Sequence, residues 1–483
     1  MLKKKNKFFS DVIIMGFGSI ITRIFQFVFI ITISRYFGTE VFGYYGTANT
    51  ASIFFMIFFG FGSGFYLTRE VAFDKNLSGE LFNGILKIRI LLLIVGGLIF
   101  LPIIGFSHYT YKLKLLLVLF FFIGASKGVL QQFNQLYQAY KFFKTQVLFE
   151  FGIYFGLLCI GLMCYILQFD IVTLGFMLLF YYSLYLLFEM LYVHRNILRI
   201  DLLAWNKEQL LGLFKSGLPF LMASLVGVIY HRIDIFMLGF FQDQSEVGLY
   251  VAPYNMYEAF LFIPAAFGNV IFPRIVPLLK LNHFSFIKKH LGGLMYSLML
   301  VMLPIMILLI VFATPIIELT FGSDFLNGSI VLVIISGGLI FHSFNNILGR
   351  ILYAVNQEKY QLKISVVAMF ANVLLNLILI PKYSIIGASI STIISFALSF
   401  LLHYLKVRKE IGISMILNLS QRLKIVLISL GLTSFAYFIL INFDYSVIFK
   451  LILSLIAYFI LLILIEYKNV LLLLNKRRFF KVN

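Results

Sequence analysis

The sequence predicts an all-α polytopic membrane protein with about fourteen transmembrane helices. Two observations support this prediction: the 483-residue chain is 61% hydrophobic, and its glycine and polar breaks leave apolar runs of roughly 20 residues. A helix of that length crosses a hydrocarbon core of ~30 Å. Only a helix satisfies the backbone hydrogen bonds of such a run, because the runs lack period-2 alternation. The runs cover residues 12–34, 41–66, 86–106, 115–138, 147–168, 171–193, 216–240, 248–272, 291–317, 327–353, 361–381, 384–404, 423–441 and 447–467.

The basic residues predict how these helices are oriented. Of the 39 Lys and Arg, thirty lie at the termini or in every second gap, five lie in the other gaps, and four lie inside runs. Lys87 and Arg89, at the second gap, are counted among the thirty. Because Lys and Arg resist translocation, we expect both termini to be cytoplasmic and the number of helices to be even.

Composition argues against several classes of function. The net charge of +19 is spread over eight short segments rather than one face, so we expect no nucleic-acid partner. Cys159 and Cys164 lie five residues apart in one helix and cannot form a disulfide there. No Cys/His cluster suggests a metal, so we expect no cofactor. The outer gaps are too short for a catalytic domain, so we expect a protein that is not an enzyme.

One glycine-rich segment and a weak internal repeat organise the chain. Residues 60–64, GFGSG, lack the Lys-Ser/Thr pair of a phosphate loop and are interpreted as a packing surface inside the second helix.

The internal repeat relates two halves of the chain. At an offset of 205 residues, Gly43 and Tyr45 align with Gly248 and Tyr250. The repeat predicts two six-helix lobes followed by two further helices. The predicted boundaries are 1–200, 201–410 and 411–483.

Polar side chains inside the first lobe are candidates for a central cavity. Arg23 and Gln26 share one face of the first helix, and Lys127, Gln131 and Asn134 share a face of the fourth. A cation at the middle of a bilayer is costly unless it meets water or a partner, so we expect both faces to point inward. The alternative is that Arg23 and Lys127 snorkel or pair with structural carboxylates.

The second lobe offers a matching set. The seventh run carries Arg232 and Asp234, the eighth Tyr254 and Glu258, and the tenth Arg350. Arg232 and Asp234 are two residues apart, so they diverge on a helix and should not pair with each other. Arg350 lies near a predicted cytoplasmic end, where contact with lipid headgroups is an equal alternative.

Two more carboxylates, Glu150 and Glu189, lie close to predicted cytoplasmic helix ends and are interpreted as structural. No nucleotide-hydrolysis site is recognised, so any transport would be secondary. The sequence leaves open whether protons, sodium or the membrane potential would drive it.

Several motifs together resemble a known family. Residues 372–392 read NVLLNLILIPKYSIIGASIST, residues 231–239 read HRIDIFMLG, and residues 272–274 read FPR. The opening, with Arg23, RYFG at 35–38 and FGYY at 42–45, fits the same pattern. The chain resembles Wzx-type O-antigen and capsule flippases of the multidrug, oligosaccharidyl-lipid and polysaccharide exporter superfamily. This resemblance implies a MATE-like arrangement of two six-helix lobes.

The resemblance also implies a function. Such proteins move undecaprenyl-pyrophosphate-linked oligosaccharide repeat units from the cytoplasmic to the outer leaflet of the bacterial cytoplasmic membrane by alternating access. Arg23, Lys127 and Arg232 would bind the pyrophosphate, with Arg350 a weaker candidate. The implied partners are the lipid-linked substrate, membrane lipids, and polysaccharide polymerase and chain-length machinery. The remaining candidates divide into sugar contacts, Gln26, Gln131, Asn134 and Tyr254, and coupling carboxylates, Asp234 and Glu258.

Three other functions remain open. A peptidoglycan lipid-precursor flippase would differ only in glycan specificity. A multidrug or cation antiporter of the same superfamily should have a cavity dominated by carboxylates, whereas the intramembrane residues here are mainly cationic. A polymerase or glycosyltransferase should show a large outer loop.

Overall fold

The computed structural model describes residues 2–202, 207–268, 284–412, 419–443 and 445–474. Regular structure in these residues is helical, with no β-strand among them. The chain divides into two compact units, an N-terminal unit of Met1–Val251 and a C-terminal unit of Ala252–Asn483. The all-α membrane fold predicted from the sequence is confirmed.

The N-terminal unit is built from long helices. Its bounds are α1 Leu2–Gly60, α2 Ser63–Phe73, α3 Ser78–Phe106, α4 Tyr111–Tyr140, α5 Phe143–Leu167, α6 Ile171–Asn196, α7 Lys207–Phe241 and α8 Gln244–Ala259, the last of which continues into the C-terminal unit. Short polar segments join these helices, as at Asp170, which caps the first turn of α6 by accepting a hydrogen bond from the Thr173 amide at 3.0 Å.

The C-terminal unit is also helical. Its bounds are α9 Phe284–Val311, α10 Ala313–Phe321, α11 Ser329–Gly337, α12 Leu339–Ala354, α13 Glu358–Ile411, α14 Leu419–Asn442 and α15 Val447–Leu474. The 372–392 motif lies on α13, where Asn376 donates to Asn372 at 3.0 Å. A short link from the Tyr458 hydroxyl to the Leu300 carbonyl joins α15 to α9.

The predicted apolar runs fall on these helices. The described residues include ten helices long and apolar enough to cross a membrane, or eleven with the pair Ser323–Gly337 and Leu339–Ala354, which is bent by 40°. Two of them each cover two predicted runs: α1 is kinked at Gly38, with φ 69°, and α13 at Ser384, with φ 47°. Each of these two elements is a pair of helices joined at a residue with non-helical backbone, so the polar breaks predicted from the sequence do separate helices. The eighth run lies on α8 and continues past residue 268, beyond the described range.

The glycine-rich segment 60–64 differs from its prediction. It does not continue a helix, because α1 ends at Gly60 and α2 begins at Ser63. Phe61 and Gly62 between them have φ of 53° and 59°. Gly62 packs so closely on the backbone of Phe220 and Leu221 in α7 that a Cβ there would collide with it. The second predicted span is thus a broken helix, and the break leaves backbone carbonyl groups that need donors.

Glycines on α4 bring it close to α1. The backbone of Gly124 lies against the Ser52 carbonyl and the Phe55 side chain, and that of Gly128 lies against the Met56 carbonyl. A side chain at either glycine would hold the helices apart. This close approach places α4 side chains beside the polar residues of α1.

The glycines aligned by the repeat meet within the N-terminal unit. A Cβ on Gly43 would collide with the Gln244 carbonyl, and one on Gly248 with the Thr39 carbonyl. Thr39 and Ser245 share a hydrogen bond of 3.0 Å across the same contact. The repeat therefore marks a place where α1 and the start of α8 touch through their backbones.

Candidate functional site

Lys127 is the best-defined candidate in the N-terminal unit. It lies in the middle of α4 and is half-buried. Its ammonium donates to Asn49 Oδ1 at 3.3 Å and Ser52 Oγ at 3.1 Å, both on α1, and lies 5.3 Å from the centre of the Tyr182 ring. Among the described residues no carboxylate forms an ion pair with it. Its positive charge is therefore solvated by neutral groups and is not cancelled.

Arg23 lies on α1 and is exposed on the surface of the protein chain. Its guanidinium interacts electrostatically with the Tyr154 hydroxyl on α5, and Tyr154 in turn interacts with Tyr182 on α6. Tyr182 also faces Lys127. Two cations predicted from separate helices are thus linked through two tyrosines of the same unit.

The three predicted amide side chains differ in exposure. Gln26 and Gln131 are exposed, and Asn134 is half-buried on α4. Gln131 lies close to Gly60 at the break between α1 and α2. Both of the exposed amides are accessible to a polar ligand.

Asp234 has a partner that the sequence analysis did not assign to it. It is 2% exposed on α7, and its Oδ2 accepts a short hydrogen bond from the hydroxyl of Tyr250 on α8. Its Oδ1 accepts from the Ile235 amide at 2.9 Å. Arg232, two residues earlier on α7, is half-buried. Asp234 therefore joins α7 to α8 within the N-terminal unit.

The remaining candidates lie in the C-terminal unit. Tyr254 is 2% exposed and packs against Tyr257 on α8, with ring centroids 5.9 Å apart, and Glu258 is half-buried. Arg350 on α12 donates to Asn346 Oδ1 at 3.1 Å, and its side chain packs against the backbone of Gly268. The lack of a side chain at Gly268 makes room for the guanidinium.

Lys87 and Arg89 do not lie in a loop, contrary to their assignment as orienting charges. Both are inside α3, with exposures of 6% and 3%. The Arg89 guanidinium donates to the Gly60 carbonyl at 3.2 Å and, at shorter range, to the Gly128 carbonyl. It thus satisfies a carbonyl at the helix break between α1 and α2. The sequence did indicate this interior position, because Arg89 lies inside the predicted run 86–106. Arg89 was nevertheless counted with the charges of the second gap.

A cavity of about 440 Å³ lies beside Arg89, between α3, α4 and α6. Apart from Arg89, Ser126 and Ser183, the side chains that line it are apolar. Such a lining suits hydrocarbon better than sugar, since buried polar groups of a glycan would find few partners. In the part of the chain that the structure describes, no cluster of His, Cys, Asp or Glu could hold a metal ion.

The length and apolar character of these helices define a multi-pass membrane protein. The sequence profile of the polysaccharide biosynthesis protein family matches residues 8–279, and the chain belongs to this family.

Two proteins of similar sequence are described as probable flippases. A probable low-salt glycan biosynthesis flippase of Haloferax volcanii is 31% identical over 192 residues, which are 40% of this chain and 41% of that protein. A probable lipid II flippase of Helicobacter pylori is 26% identical over 243 residues, 49% of this chain and 52% of that protein. The chain thus matches about half the length of these relatives or less.

One solved structure matches nearly the whole fold. The lipid II flippase MurJ in an inward closed conformation superposes with a TM-score of 0.77 at 17% identity, covering 95% of this chain and 100% of that one. At this sequence identity the structural similarity establishes the fold and does not identify the substrate.

Proposed function

We propose that this protein is a flippase that moves undecaprenyl-pyrophosphate-linked oligosaccharide repeat units, of the O-antigen or capsule type, from the cytoplasmic to the outer leaflet. It would act by alternating access in the bacterial cytoplasmic membrane, with both termini in the cytoplasm and without catalysing a chemical reaction. Membership of a polysaccharide biosynthesis family and the relative described as a glycan biosynthesis flippase support this proposal.

The observation that carries the proposal is the environment of Lys127. The interior ammonium is held by the neutral acceptors Asn49 and Ser52 and has no carboxylate as a counter-ion among the described residues. Two pyrophosphate oxygens can replace side-chain acceptors of this kind, and a charged acceptor binds an ammonium more strongly than a neutral one does. Arg23 supplies a second cation near the same tyrosines. An anionic headgroup is the ligand that this charge balance favours.

Each remaining candidate receives a role in this proposal. Arg232 is a third pyrophosphate ligand, and Arg350 a weaker one because Asn346 and Gly268 already surround its guanidinium. Asp234 and Glu258 respond to the coupling ion, a proton or sodium. The side chains that would contact the sugars of the repeat unit are those of Gln26, Gln131, Asn134 and Tyr254.

Two alternatives make different predictions. The relative described as a lipid II flippase favours transport of a peptidoglycan precursor, which also has a pyrophosphate linked to a polyprenol. A multidrug or cation antiporter would need carboxylates in its cavity to attract cationic drugs, and the neutral surroundings of Lys127 argue against it.

The test is complementation in a bacterial strain that makes the repeat unit but lacks its flippase. We expect Arg23→Gln, Lys127→Gln and Arg232→Gln to lower surface polysaccharide on the order of tenfold each, because each loses a charge-assisted contact. Lys127→Arg should retain most activity. Lys382→Gln, an exposed lysine on α13, is the matched control and should behave as wild type.

Wild-type surface polysaccharide in all three well-expressed variants would rule out the pyrophosphate site. Growth of a strain depleted of its peptidoglycan precursor flippase, when supplied with this protein, would instead favour lipid II as substrate. Failure in both strains, with normal membrane levels, would count against either flippase function.

A further inference from the structure

The Glu189 carboxyl on α6 is buried at a place to which the proposed transport site assigns no role. The residue is 1% exposed, seven positions before the end of α6. Its Oε1 has no hydrogen-bond partner among the described residues. Burial of a carboxylate without a cation or a full set of donors is costly, so its state of protonation has consequences for the whole unit.

The groups that face Glu189 are acidic or neutral. They are Tyr137 from α4, Glu150 from α5, and Tyr185 from α6 itself. The Tyr137 hydroxyl lies next to the carboxyl, but neither it nor Glu189 Oε1 makes a hydrogen bond of good geometry. In the described part of the chain no lysine or arginine pairs with Glu189. The ionised form therefore has no counter-ion.

Aromatic rings close the site. Phe149 stacks on Tyr137 with centroids 5.6 Å apart and lies 5.1 Å from Tyr192 and 5.9 Å from Phe188. The Tyr185 hydroxyl is engaged elsewhere, since it donates to the Phe149 carbonyl at 2.8 Å. Apolar surroundings of this kind exclude water and strengthen electrostatic effects inside them.

The two carboxyls of the cluster are not equivalent. Glu150 is half-buried and accepts a hydrogen bond from Gln146 Nε2 at 2.9 Å, which stabilises its ionised form. Glu189 has the Tyr137 hydroxyl beside it, but it is more deeply buried than Glu150 and is repelled by the charge on Glu150. When two interacting carboxyls share one proton, it resides on the more buried and less solvated group. Here that group is Glu189.

We propose that Glu189, together with Tyr137, is a proton-binding site of the N-terminal unit. The Glu189 carboxylate accepts a proton from hydronium by way of the half-buried Glu150, which leaves water outside the site. The new O–H bond can donate to the Tyr137 oxygen, and the proton returns to solvent by the same route. Glu150 lies one helical turn before Tyr154 on α5, and Arg23 of α1 lies near the Tyr154 hydroxyl. An anion bound at Arg23 would make proton uptake at the carboxyl pair more favourable, so substrate and proton would bind together. This link to transport rests on the function proposed above, whereas the proton site itself does not.

Infrared difference spectra of the purified protein in lipid bilayers, recorded between low and high pH, test the site directly. The C=O stretching band of a protonated carboxyl should be present in the wild type, absent in Glu189→Gln and retained, at a shifted frequency, in Glu189→Asp. Glu358→Gln removes an exposed carboxyl on α13 and is the matched control. It should leave the buried band unchanged.

Because Asp234 is also buried, the test is the difference between the two proteins: a well-folded Glu189→Gln whose buried carboxyl bands equal those of the wild type would overturn the proposal. Transport provides a second measurement: wild-type flipping should respond to an imposed pH gradient, and that response should be lost in Glu189→Gln and kept in Glu358→Gln. If the band disappears in Glu189→Gln but no repeat unit is moved even by the wild type, the proposed substrate is wrong and the proton site stands.

Discussion

Arg89 and Lys127 are interior cations on two helices of the N-terminal unit that pack on each other, and their partners differ in kind. Arg89 is 3% exposed and donates to the backbone carbonyls of Gly60 and Gly128. Lys127 is half-buried and donates to the side chains of Asn49 and Ser52. Backbone carbonyls at a helix break are fixed and need a donor, whereas side-chain acceptors can rotate and release the cation.

The difference separates two reasons for placing a charge inside a membrane. Arg89 satisfies the Gly60 carbonyl at the break and ties it to the Gly128 carbonyl of α4, so its charge belongs to the fold. Lys127 keeps partners that a stronger acceptor can displace, so its charge is available to a ligand. The cost of an intramembrane cation is similar in both cases and does not by itself indicate function.

The largest expected effect is that of Arg89→Leu on stability. Removing the guanidinium leaves the Gly60 and Gly128 carbonyls without their charged donor, and the loss should be on the order of 3 kcal/mol. Thermal unfolding in detergent, followed by the fraction of monodisperse protein, measures it. Arg69→Leu is the control, because the Arg69 side chain is 60% exposed and its pair with Glu70 should contribute little. Equal Tm values for the two variants would remove the structural role assigned to Arg89.

A second substitution tests the helix break itself. Gly62→Ala places a Cβ on a residue with φ 59° and against the backbone of Phe220 and Leu221. We expect a loss of about 2 kcal/mol from strain and overpacking. Gly16→Ala provides the contrast, since none of the described residues that could meet a Cβ there lies within 4 Å and alanine favours helix. Similar thermal stability of both variants would show that the break tolerates a side chain.

How far the sequence predicts this region depends on the distance between partners. The apolar runs coincide with helices because spanning backbone must satisfy its own hydrogen bonds. Interior placement of Lys127 follows from its position in a run. Its acceptors do not, because Asn49 and Ser52 lie 78 and 75 residues away along the chain. Only the packing of α1 on α4 identifies them.

Arg89 shows where charge counting fails. A basic residue near the start of an apolar run fits either a loop or the first turns of a helix, and the positive-inside rule favours the loop. The break at residues 61–62 decides otherwise, since it creates the carbonyl that Arg89 satisfies. A positive φ at Phe61 cannot be inferred from its residue type, because only the contact with α7 selects it.

The third prediction concerns Lys127→Gln, whose effect on stability should be within about 1 kcal/mol, because the glutamine amide can still donate a hydrogen bond to Asn49 or Ser52. Repeat-unit transport should nevertheless fall on the order of tenfold, as proposed above. Measuring Tm and surface polysaccharide on the same preparation of cells separates the two effects. A loss of Tm as large as that of Arg89→Leu would place Lys127 in the fold and contradict the comparison.

The smallest expected effect is that of Asp170→Ala. Asp170 is an exposed charged residue and serves as the reference for the two interior cations, Arg89 and Lys127. The side-chain hydrogen bond from Thr173, with two backbone amides, holds the pKa of the Asp170 carboxyl below its ordinary value of 3.8. Asp170→Ala should cost about 0.5 to 1 kcal/mol at neutral pH through the lost cap of α6. A carboxyl whose pKa is lower in the folded state stabilises that state above its unfolded pKa and loses this contribution as pH falls. The Tm difference between wild type and variant should therefore be constant from neutral pH down to about pH 5 and shrink below the ordinary aspartate value. A difference that stays constant through the acid range would mean that the charge of Asp170 contributes nothing. Burial alone would then have to distinguish exposed charges from structural and ligand-binding ones. Asp170 could no longer serve as the exposed reference for comparing Arg89 with Lys127.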